Sequence, residues 1–432
     1  EAFNFTHPSQ IFCEYAGLTG YQNNGQRQLD LSPLQNITQA QYDAMSPLQW
    51  PFTTSDELQG MQGLNSKRPF ADKQFSTPNG KAKLIPVVFK APQQQTSKLF
   101  PFVVNSGRAR DQWHTMTRTG KAAKLLAHTS NASVHVSPHD AKTLGARNKD
   151  YVALHSAACV DAPVIYPVKI DEDMRKGEVF IPIHWSAQYG SHCKLGSLYA
   201  SAVDPISGQP ELKHAAVAIE PVRFTTYGKV FVASIVQNAQ PSEFNFLDEV
   251  ALQHACDYWT KTPIEGAVLT ANTNLSGDAS TVFNIASNKG RRAFTQDVLP
   301  LFPQNTVLLQ FHHPTYSVCI ALVDDKLCFA AFLGDEPEQE AAVDANVGWS
   351  VPNAWVASLL NTSISLETQR KLLRTQVDEA FLNGDVVCSC FEVREKTISD
   401  AIEGGCSSVT ELGKKLKCGT NCGSCKPALS QR

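Results

Sequence analysis

Short apolar runs separated by turn residues dominate the chain from about residue 84 to residue 225. Runs of this length that are rich in β-branched residues predict strands. The predicted strands are Leu84–Phe89, Leu99–Val104, Tyr151–His155, Val164–Ile170, Val179–His184 and Ala215–Ile219. Pro138-His139-Asp140 predicts a short helix that ends at Gly145. About six short strands with mixed connections favour a closed barrel over a doubly wound sheet.

The first 95 residues show a different pattern, polar and rich in Gln, Asn, Ser and Pro. Two short helical pieces are predicted, at residues 15–18 and 31–34. Scattered apolar residues of this kind rarely offset chain entropy by themselves. We therefore expect residues 1–95 to be the last part of a domain whose core lies upstream. Since the sequence opens at Glu1 without an initiator Met, we also expect it to be a fragment of a longer protein.

Residues 226–380 predict an α+β module without recognisable chemistry. Amphipathic helices are predicted at Leu247–Trp259 and Gln369–Phe381, and strands near Val307–Phe311, Cys319–Val323 and Leu327–Leu333. We interpret this module as a spacer between the barrel and the C-terminal region.

The C-terminal region, residues 383–432, predicts two short helices that fold back on each other. Thr397 is predicted to cap the first helix, and Gly404-Gly405 to end it. The second helix is predicted over Val409–Leu416. Folding back would bring together the two cysteine pairs that flank these helices.

Those pairs are the strongest chemical signal in the chain. Six of the 12 cysteines fall in the last 45 residues, and a C-x-C pair at Cys388 and Cys390 is separated by 31 residues from a C-x-x-C pair at Cys422 and Cys425. Four thiolates suit an iron–sulfur cluster or structural zinc. A disulfide framework needs an oxidising compartment, which nothing in the sequence indicates. Glycines 419 and 423 are expected at positive φ, where the backbone curls and aims N–H groups at sulfur.

The stretch CSC, the helix pattern IxxAIxxG and the stretch CGTNCGSCKPAL together resemble the small 2Fe-2S domain of the bacterioferritin-associated ferredoxin family. That domain is also fused to nitrite reductases and assimilatory nitrate reductases. The resemblance covers roughly the last fifty residues. It implies that Cys388, Cys390, Cys422 and Cys425 are the cluster ligands, and that Cys406 and Cys418 are not.

A second stretch with candidate chemistry follows the predicted strand that ends at Val104. Asn105-Ser106-Gly107-Arg108 combines a tight turn, backbone N–H groups and a guanidinium fork, all suited to phosphate. Trp113 and His114 add flat rings, and Thr115 and Thr117 add hydroxyl donors. These residues alone indicate a phosphate-bearing organic ligand, with a solvated turn around a core tryptophan as the alternative.

The order of three motifs narrows this interpretation. The stretch SGRxRDQWHTMTRTG, then Ile183-His184-Trp185, then residues 204–213 together resemble the molybdopterin-dinucleotide-binding domain of the dimethyl-sulfoxide-reductase superfamily, nearest its nitrate reductase and formate dehydrogenase branch. The resemblance implies a double-psi β-barrel. It also implies cofactor contacts from Asn105, Ser106, Gly107, Arg108, Trp113, His114, Thr115, Thr117, His184, Trp185 and Lys213. The chain departs from the family at Gly196-Ser197-Leu198-Tyr199, where an Asn-x-Leu-Thr element is usual, and Ser197 is the candidate substitute.

Composition limits the partners. The 432 residues are 42% hydrophobic and 18% charged, which suits about three globular domains. A formal net charge of −3 argues against nucleic acid and anionic membranes as partners. No apolar run approaches the roughly 18 residues that a membrane span needs. Reduced thiols and a labile cluster fit the cytoplasm.

We therefore predict a mixed fold with four parts. They are the tail of a molybdopterin oxidoreductase catalytic domain (1–95), a β-rich, double-psi β-barrel-like dinucleotide-binding domain (96–225), an α+β spacer module (226–380) and a small all-α 2Fe-2S domain (383–432). The resemblances imply the C-terminal portion of an assimilatory nitrate reductase that reduces nitrate to nitrite. Its cofactors would be molybdopterin guanine dinucleotide, the 2Fe-2S cluster, and a 4Fe-4S cluster in the missing N-terminal part.

The expected electron donor is a flavoprotein, ferredoxin or flavodoxin, and we expect no catalytic residue in this chain. Three alternatives stay open: a formate dehydrogenase-like molybdoenzyme, a non-catalytic iron–sulfur electron-transfer protein, and a zinc-binding structural protein.

Overall fold

The structure is a computed structural model, and it falls into two compact units, Glu1–Ala91 and Pro92–Arg432. It describes residues 3–47, 70–86, 88–126, 129, 131–205, 207–233, 249–264, 280–337, 349–378, 381–384 and 386–432. Among the helices in these ranges, none combines the length and the apolar character that a bilayer span requires.

The first unit is built from two helices, α1 (Pro8–Gly20) and α2 (Gln39–Asp43), with a 3-10 turn at Ser32–Leu34. Both predicted helical pieces are thus confirmed. Ala16 and Leu34 are fully buried between these elements. The predicted strand Leu84–Phe89 is wrong, since none of its described residues, 84–86 and 88–89, lies in a strand. Pro86 supplies no N–H donor to a sheet.

The second unit begins with a closed six-stranded barrel. Its strands are β1 (Phe102–Gly107), β2 (Val134–Val136), β3 (Tyr151–Ser156), β4 (Cys159–Ile170), β5 (Glu178–Pro182) and β6 (Ala215–Val222). Around the barrel the order is β1-β5-β2-β4-β3-β6, with the pairs β1/β5 and β2/β4 parallel and the other pairs antiparallel. The predicted barrel is confirmed. The sequence prediction missed β2, because three residues are too few to show a period of two.

Short helical elements connect these strands: a 3-10 turn at Thr119–Lys121, α3 (Ala123–Leu126), α4 (Pro138–Leu144) and a 3-10 turn at Leu195–Leu198. The Ser137 hydroxyl accepts the Asp140 N–H at 3.1 Å and caps α4, which ends at Gly145 in the left-handed region, as predicted. Apolar side chains such as Val104, Val179 and Ile181 are fully buried inside the barrel.

A six-stranded antiparallel sheet follows. Its strands are β7 (Thr226–Val232), β8 (Tyr258–Ile264), β9 (Ser280–Ser287), β10 (Val307–His312), β11 (Tyr316–Val323) and β12 (Lys326–Gly334), in the order β10-β11-β12-β7-β9-β8. The accompanying helices are α5 (Glu249–His254), α6 (Arg291–Val298), α7 (Asn353–Leu359) and α8 (Leu366–Leu373), with a 3-10 turn at Leu299–Leu301. The three strands predicted within residues 307–333 lie in β10, β11 and β12.

Both long helices predicted here are wrong in extent. The predicted helix Leu247–Trp259 shrinks to α5 among its described residues, because the aromatic and β-branched run from Tyr258 enters the sheet as β8. Its first two positions, 247 and 248, lie outside the described residues. In place of Gln369–Phe381, α8 starts at Leu366 behind a Ser365 cap and stops at Leu373; positions 379 and 380 are also outside the described residues.

The C-terminal region consists of β13 (Val386–Cys388), β14 (Val393–Arg394), α9 (Glu395–Glu403), α10 (Val409–Leu416) and α11 (Lys426–Ser430). The bounds of α10 match the prediction. Thr397 is not a cap, because α9 begins two residues earlier, after Arg394. The region also differs from the all-α prediction by the β13–β14 ribbon, which valines on both strands favour.

Candidate cofactor-binding sites

The loop of residues 108–118, which we call the barrel loop, leaves the end of β1 and is fixed by its own backbone. Met116 is 1% exposed and anchors the loop in the barrel core. Its N–H donates to the Trp113 carbonyl at 3.1 Å, and its carbonyl accepts from the Gly120 N–H at 2.8 Å and the Tyr189 hydroxyl at 3.3 Å. These hydrogen bonds and the buried Met116 side chain tie the loop to the barrel.

His184, which follows β5, fixes the barrel loop from the other side. Its Nε2 accepts the Ala109 N–H at 2.9 Å, so the proton lies on Nδ1, which donates to the His114 carbonyl at 3.0 Å. The ring is 2% exposed, and this burial lowers the pKa of His184. Neutral His184 thus serves as a support for the loop, and both ring nitrogens are used within the protein.

The side chains that the barrel loop presents to solvent are the ones predicted to bind a ligand. Arg108, His114, Thr115 and Thr117 are exposed, and Trp113 is 59% exposed. The Trp113 and His114 rings meet edge to face, 5.2 Å between centroids, and the Thr115 and Thr117 hydroxyls lie 3.0 Å apart. A rigid backbone with exposed cationic, aromatic and hydroxyl groups suits a flat, phosphorylated ligand. Asn105, the predicted contact on β1, is exposed as well.

Ser106 and Lys213 have partners inside the protein. Ser106 is 3% exposed, and its hydroxyl donates to the Leu212 carbonyl at 2.5 Å, while the Lys213 ammonium donates to the Ser106 carbonyl. These bonds join β1 to the segment that leads into β6. At Gly107 an added Cβ would lie 2.8 Å from Cε2 of Phe180, so a side chain larger than hydrogen would displace that ring.

Of the buried polar atoms in the barrel domain without a hydrogen-bond partner among the described residues, three belong to a predicted cofactor contact or to its neighbour in sequence. They are Nε1 of Trp185, Oε1 of Gln112 and Nε2 of His214. A buried polar group left unsatisfied costs about 1–3 kcal/mol, so such atoms are candidates for contact with a bound group. Trp185 was a predicted cofactor contact. Sequence reasoning missed Gln112 and His214, although Gln112 lies inside the recognised motif and His214 directly follows Lys213.

Ser197, the candidate substitute for the usual asparagine amide, has a local partner. Its hydroxyl donates to the Lys194 carbonyl at 2.8 Å, within the 3-10 turn to which it belongs. Leu198 beside it is fully buried. The turn therefore uses the Ser197 hydroxyl for its own backbone.

The C-terminal region brings both cysteine pairs together. The Sγ atoms of Cys390 and Cys422 lie 3.4 Å apart, and Cys388 and Cys425 are 2% and 1% exposed within one apolar cluster. Gly419 and Gly423 both adopt φ of 74°, which confirms the predicted positive φ at these positions. The peptide between Cys418 and Cys425 therefore curls around the sulfurs with little strain.

The surroundings of the sulfurs favour different protonation states. Hydrogen bonds from the Ser424 hydroxyl and N–H, and from Cys390, lower the pKa of Cys422. Burial raises the pKa of Cys425 to about 11 and also raises that of Cys418. A buried thiol of this kind keeps its proton until a metal displaces it.

The four sulfurs meet in two pairs, Cys390 with Cys422 and Cys388 with Cys425, which suits a binuclear cluster with two thiolates per iron. No group of three or more His, Cys, Asp or Glu placed to hold one metal ion occurs in the described part of the chain. Cys418 lies fully buried in the same apolar cluster, and Cys406 packs at its edge.

Two protein families match these regions. The molydopterin dinucleotide binding domain family matches residues 102–216, and the BFD-like 2Fe-2S binding domain family matches residues 386–431. Each match coincides with one of the two candidate sites.

Individual proteins are similar to this chain as well. A nitrate reductase of Klebsiella oxytoca is 30% identical over 431 residues, covering 99% of this chain and 43% of that protein. A nitrate reductase of Shewanella frigidimarina is 30% identical over 250 residues, 54% of this chain and 26% of that protein. Formate dehydrogenase H of Escherichia coli is 29% identical over 225 residues, 49% of this chain and 29% of that protein.

The matched part is less than half the length of each of these relatives. Within that part, the barrel, the antiparallel sheet and the cysteine region are all covered by the match to the Klebsiella oxytoca protein. The chain thus contains a molybdopterin dinucleotide-binding domain and a BFD-like 2Fe-2S domain, and it is homologous to nitrate reductases over nearly its whole length.

Proposed function

We propose that this chain is part of a cytoplasmic molybdenum oxidoreductase that reduces nitrate to nitrite. The observation that carries the proposal is the 99% coverage by the Klebsiella oxytoca nitrate reductase, which includes the module between the two cofactor domains. A pterin domain alone would indicate only the wider superfamily. This chain combines a pterin domain, the antiparallel module and a cysteine-rich C-terminal domain in one order. That combination indicates a narrower group of enzymes within the superfamily.

The barrel loop would bind the nucleotide end of the pterin cofactor. Arg108 would pair with phosphate through its guanidinium fork, and Thr115 and Thr117 would donate hydroxyl hydrogen bonds. Trp113 offers a flat face for the base. The unpartnered indole N–H of Trp185 would donate to the pterin, which relieves the cost of burying that group.

Other predicted contacts would act through the backbone. The Ser106 hydroxyl bonds to Leu212 and the Lys213 ammonium bonds to Ser106, so these two residues would hold β1 in place. Asn105 is exposed on the same strand. Gly107 would let the chain pass close to Phe180, and His184 would support the loop.

In the C-terminal domain, Cys388, Cys390, Cys422 and Cys425 would hold the 2Fe-2S cluster. Their paired approach and the positive φ of the two glycines support this ligand set. The Ser424 hydroxyl, 3.1 Å from Cys422 Sγ, would stabilise the thiolate. When bound, the molybdenum cofactor supplies the two-electron chemistry of nitrate reduction and the cluster supplies one-electron transfer.

The residues of this chain therefore bind and position cofactors, and we assign none of them a catalytic role. We propose that a 4Fe-4S cluster and the molybdenum ligand are supplied by a part of the enzyme outside this chain. The donor would be a flavoprotein, a ferredoxin or a flavodoxin, since each class delivers electrons to an iron–sulfur centre one at a time.

Formate oxidation is the second candidate, favoured by the match to formate dehydrogenase H over 49% of the chain. Activity assays with nitrate and with formate on the purified full-length protein distinguish the two candidates. Molybdenum and iron are measured on the same sample. We expect nitrate-dependent oxidation of reduced methyl viologen and no formate-dependent dye reduction. The reverse pattern would establish a formate dehydrogenase, and a colourless protein without molybdenum would contradict both.

A further inference from the structure

Arg110 extends from the barrel loop to the C-terminal domain, across 277 positions of sequence. Its Nη2 donates to the Val387 carbonyl at 3.1 Å and to the Ser424 hydroxyl at 3.5 Å. Val387 immediately precedes Cys388, and Ser424 lies between Cys422 and Cys425. One guanidinium thus contacts both cysteine-bearing segments.

The neighbouring residue completes the contact. Nε of Arg110 lies 3.2 Å from Oδ2 of Asp111, and Asp111 adopts φ of 64°. This left-handed conformation is uncommon outside glycine and is best tolerated by Asn and Asp. An uncommon backbone conformation within a functional loop commonly serves to place a contact, and here the Asp111 carboxylate pairs with the guanidinium that reaches the cysteines.

The charge of Arg110 also bears on the cysteine site that it contacts. The Arg110 guanidinium places a positive charge against both cysteine-bearing segments, at the Val387 carbonyl and at the Ser424 hydroxyl. Arg110 has 27% of its side chain exposed, so solvent screens this interaction only in part. A cation beside a cluster favours its reduced form, which carries one more negative charge.

A second contact joins the same two domains. The Gln431 amide at the end of the chain donates to Oδ2 of Asp173, between β4 and β5, at 3.2 Å. Among the described residues, the C-terminal domain therefore meets the barrel at the cysteines through Arg110 and at the chain terminus through Gln431.

We propose that Arg110 is a positioning residue that clamps the 2Fe-2S domain to the barrel loop and raises the reduction potential of the cluster. The cluster then lies against the same loop that presents Arg108 and Trp113 to the pterin dinucleotide. The clamp follows from contacts of this chain, whereas the effect on potential rests on the proposed function, because it requires the cluster.

The experiment uses the full-length protein with Arg110→Gln, Arg110→Lys and the control Arg147→Gln. Arg147 is an exposed arginine of the same barrel, paired with Asp150 at 3.4 Å. Hydrogen–deuterium exchange is measured over residues 386–390 and 422–426. A dithionite titration that is monitored by electron paramagnetic resonance gives the reduction potential of the cluster. Each reduction adds one electron to the cluster.

Arg110→Gln is expected to raise exchange in both segments by about tenfold, or ~1.4 kcal/mol of opening free energy, and to shift the potential to more negative values. Arg110→Lys keeps the charge without the fork, so it should retain most of the potential and lose part of the protection. Arg147→Gln should match wild type in both. Unchanged exchange in Arg110→Gln would overturn the clamp, and an unchanged potential would overturn the electrostatic role. If wild-type protein shows no cluster signal, the proposed function fails, while the exchange measurement still decides the clamp.

Discussion

The imidazole of His184 joins the Ala109 N–H to the His114 carbonyl, at 2.9 Å and 3.0 Å. His184, which lies just after β5, is 70 or more positions away in sequence from the loop residues that it holds. Because each ring nitrogen is committed, protonation of Nε2 would break the first of these hydrogen bonds.

His184 therefore predicts a pH-dependent stability. Since burial lowers the folded-state pKa below 6.5, neutral His184 stabilises the fold above that pH, and the stability is lost as the pH falls through the folded-state value. His184→Phe should cost about 1–3 kcal/mol at pH 8, because it leaves two backbone groups unpaired. Urea unfolding at several pH values should show the gap to wild type narrowing below pH 6.5. A gap that is constant with pH would contradict the role, and His139→Phe, at an exposed histidine, is the control.

Substitution of Arg108 is expected to reduce the binding of one cofactor and to leave the other in place. Arg108→Ala in the full-length protein should lower molybdenum content severalfold, since a phosphate contact of the charged kind contributes about 1.5–3 kcal/mol. Cluster absorption should stay at the wild-type level, because the cysteines lie in the other domain. Metal analysis of the purified variant measures both, with Arg147→Ala as the matched control. Wild-type molybdenum content in Arg108→Ala would remove Arg108 from the site.

Substitution of single cysteines distinguishes the proposed cluster ligands from the neighbouring cysteines. Cys422→Ser should abolish or destabilise the cluster, whereas Cys406→Ser should keep it, since Cys406 packs at the edge of the apolar cluster. Visible absorption that dithionite bleaches, together with iron content, measures the outcome. Circular dichroism should show that the barrel remains folded in both variants. Equal cluster content in the two variants would contradict the assigned ligand set.

Gly419 predicts a backbone effect on the same site. Gly419→Ala introduces a side chain at φ of 74°, which costs about 1–2 kcal/mol, and its Cβ would lie 3.2 Å from Cγ of Lys426. The cluster should then be lost at lower temperature or lower denaturant concentration than in wild type. Gly196→Ala is the control, because its Cβ would meet nothing within 4 Å. If both variants lose the cluster at the same denaturant concentration, the curl at Gly419 is not required.

Local features of the candidate sites could be predicted because they depend on neighbours in sequence. The bounds of α10 followed from its apolar spacing, and the positive φ of Gly423 followed from its place in C-x-x-C. The predicted strand at Leu84–Phe89 failed, because an apolar run says nothing about whether a partner strand lies beside it. The helix predicted through Trp259 is wrong for a related reason, because the aromatic residues at its end pair with a neighbouring strand as part of β8.

By itself, the sequence determined which chemistry this protein can hold: four cysteines at cluster spacing, and a loop with a guanidinium, two rings and two hydroxyls. Only the tertiary structure decided how these parts meet. It placed His184 behind the barrel loop and Arg110 against Val387, 277 positions away. Side-chain chemistry and backbone preference are properties of a residue and its near neighbours, whereas contacts across such distances are fixed by packing of the whole chain.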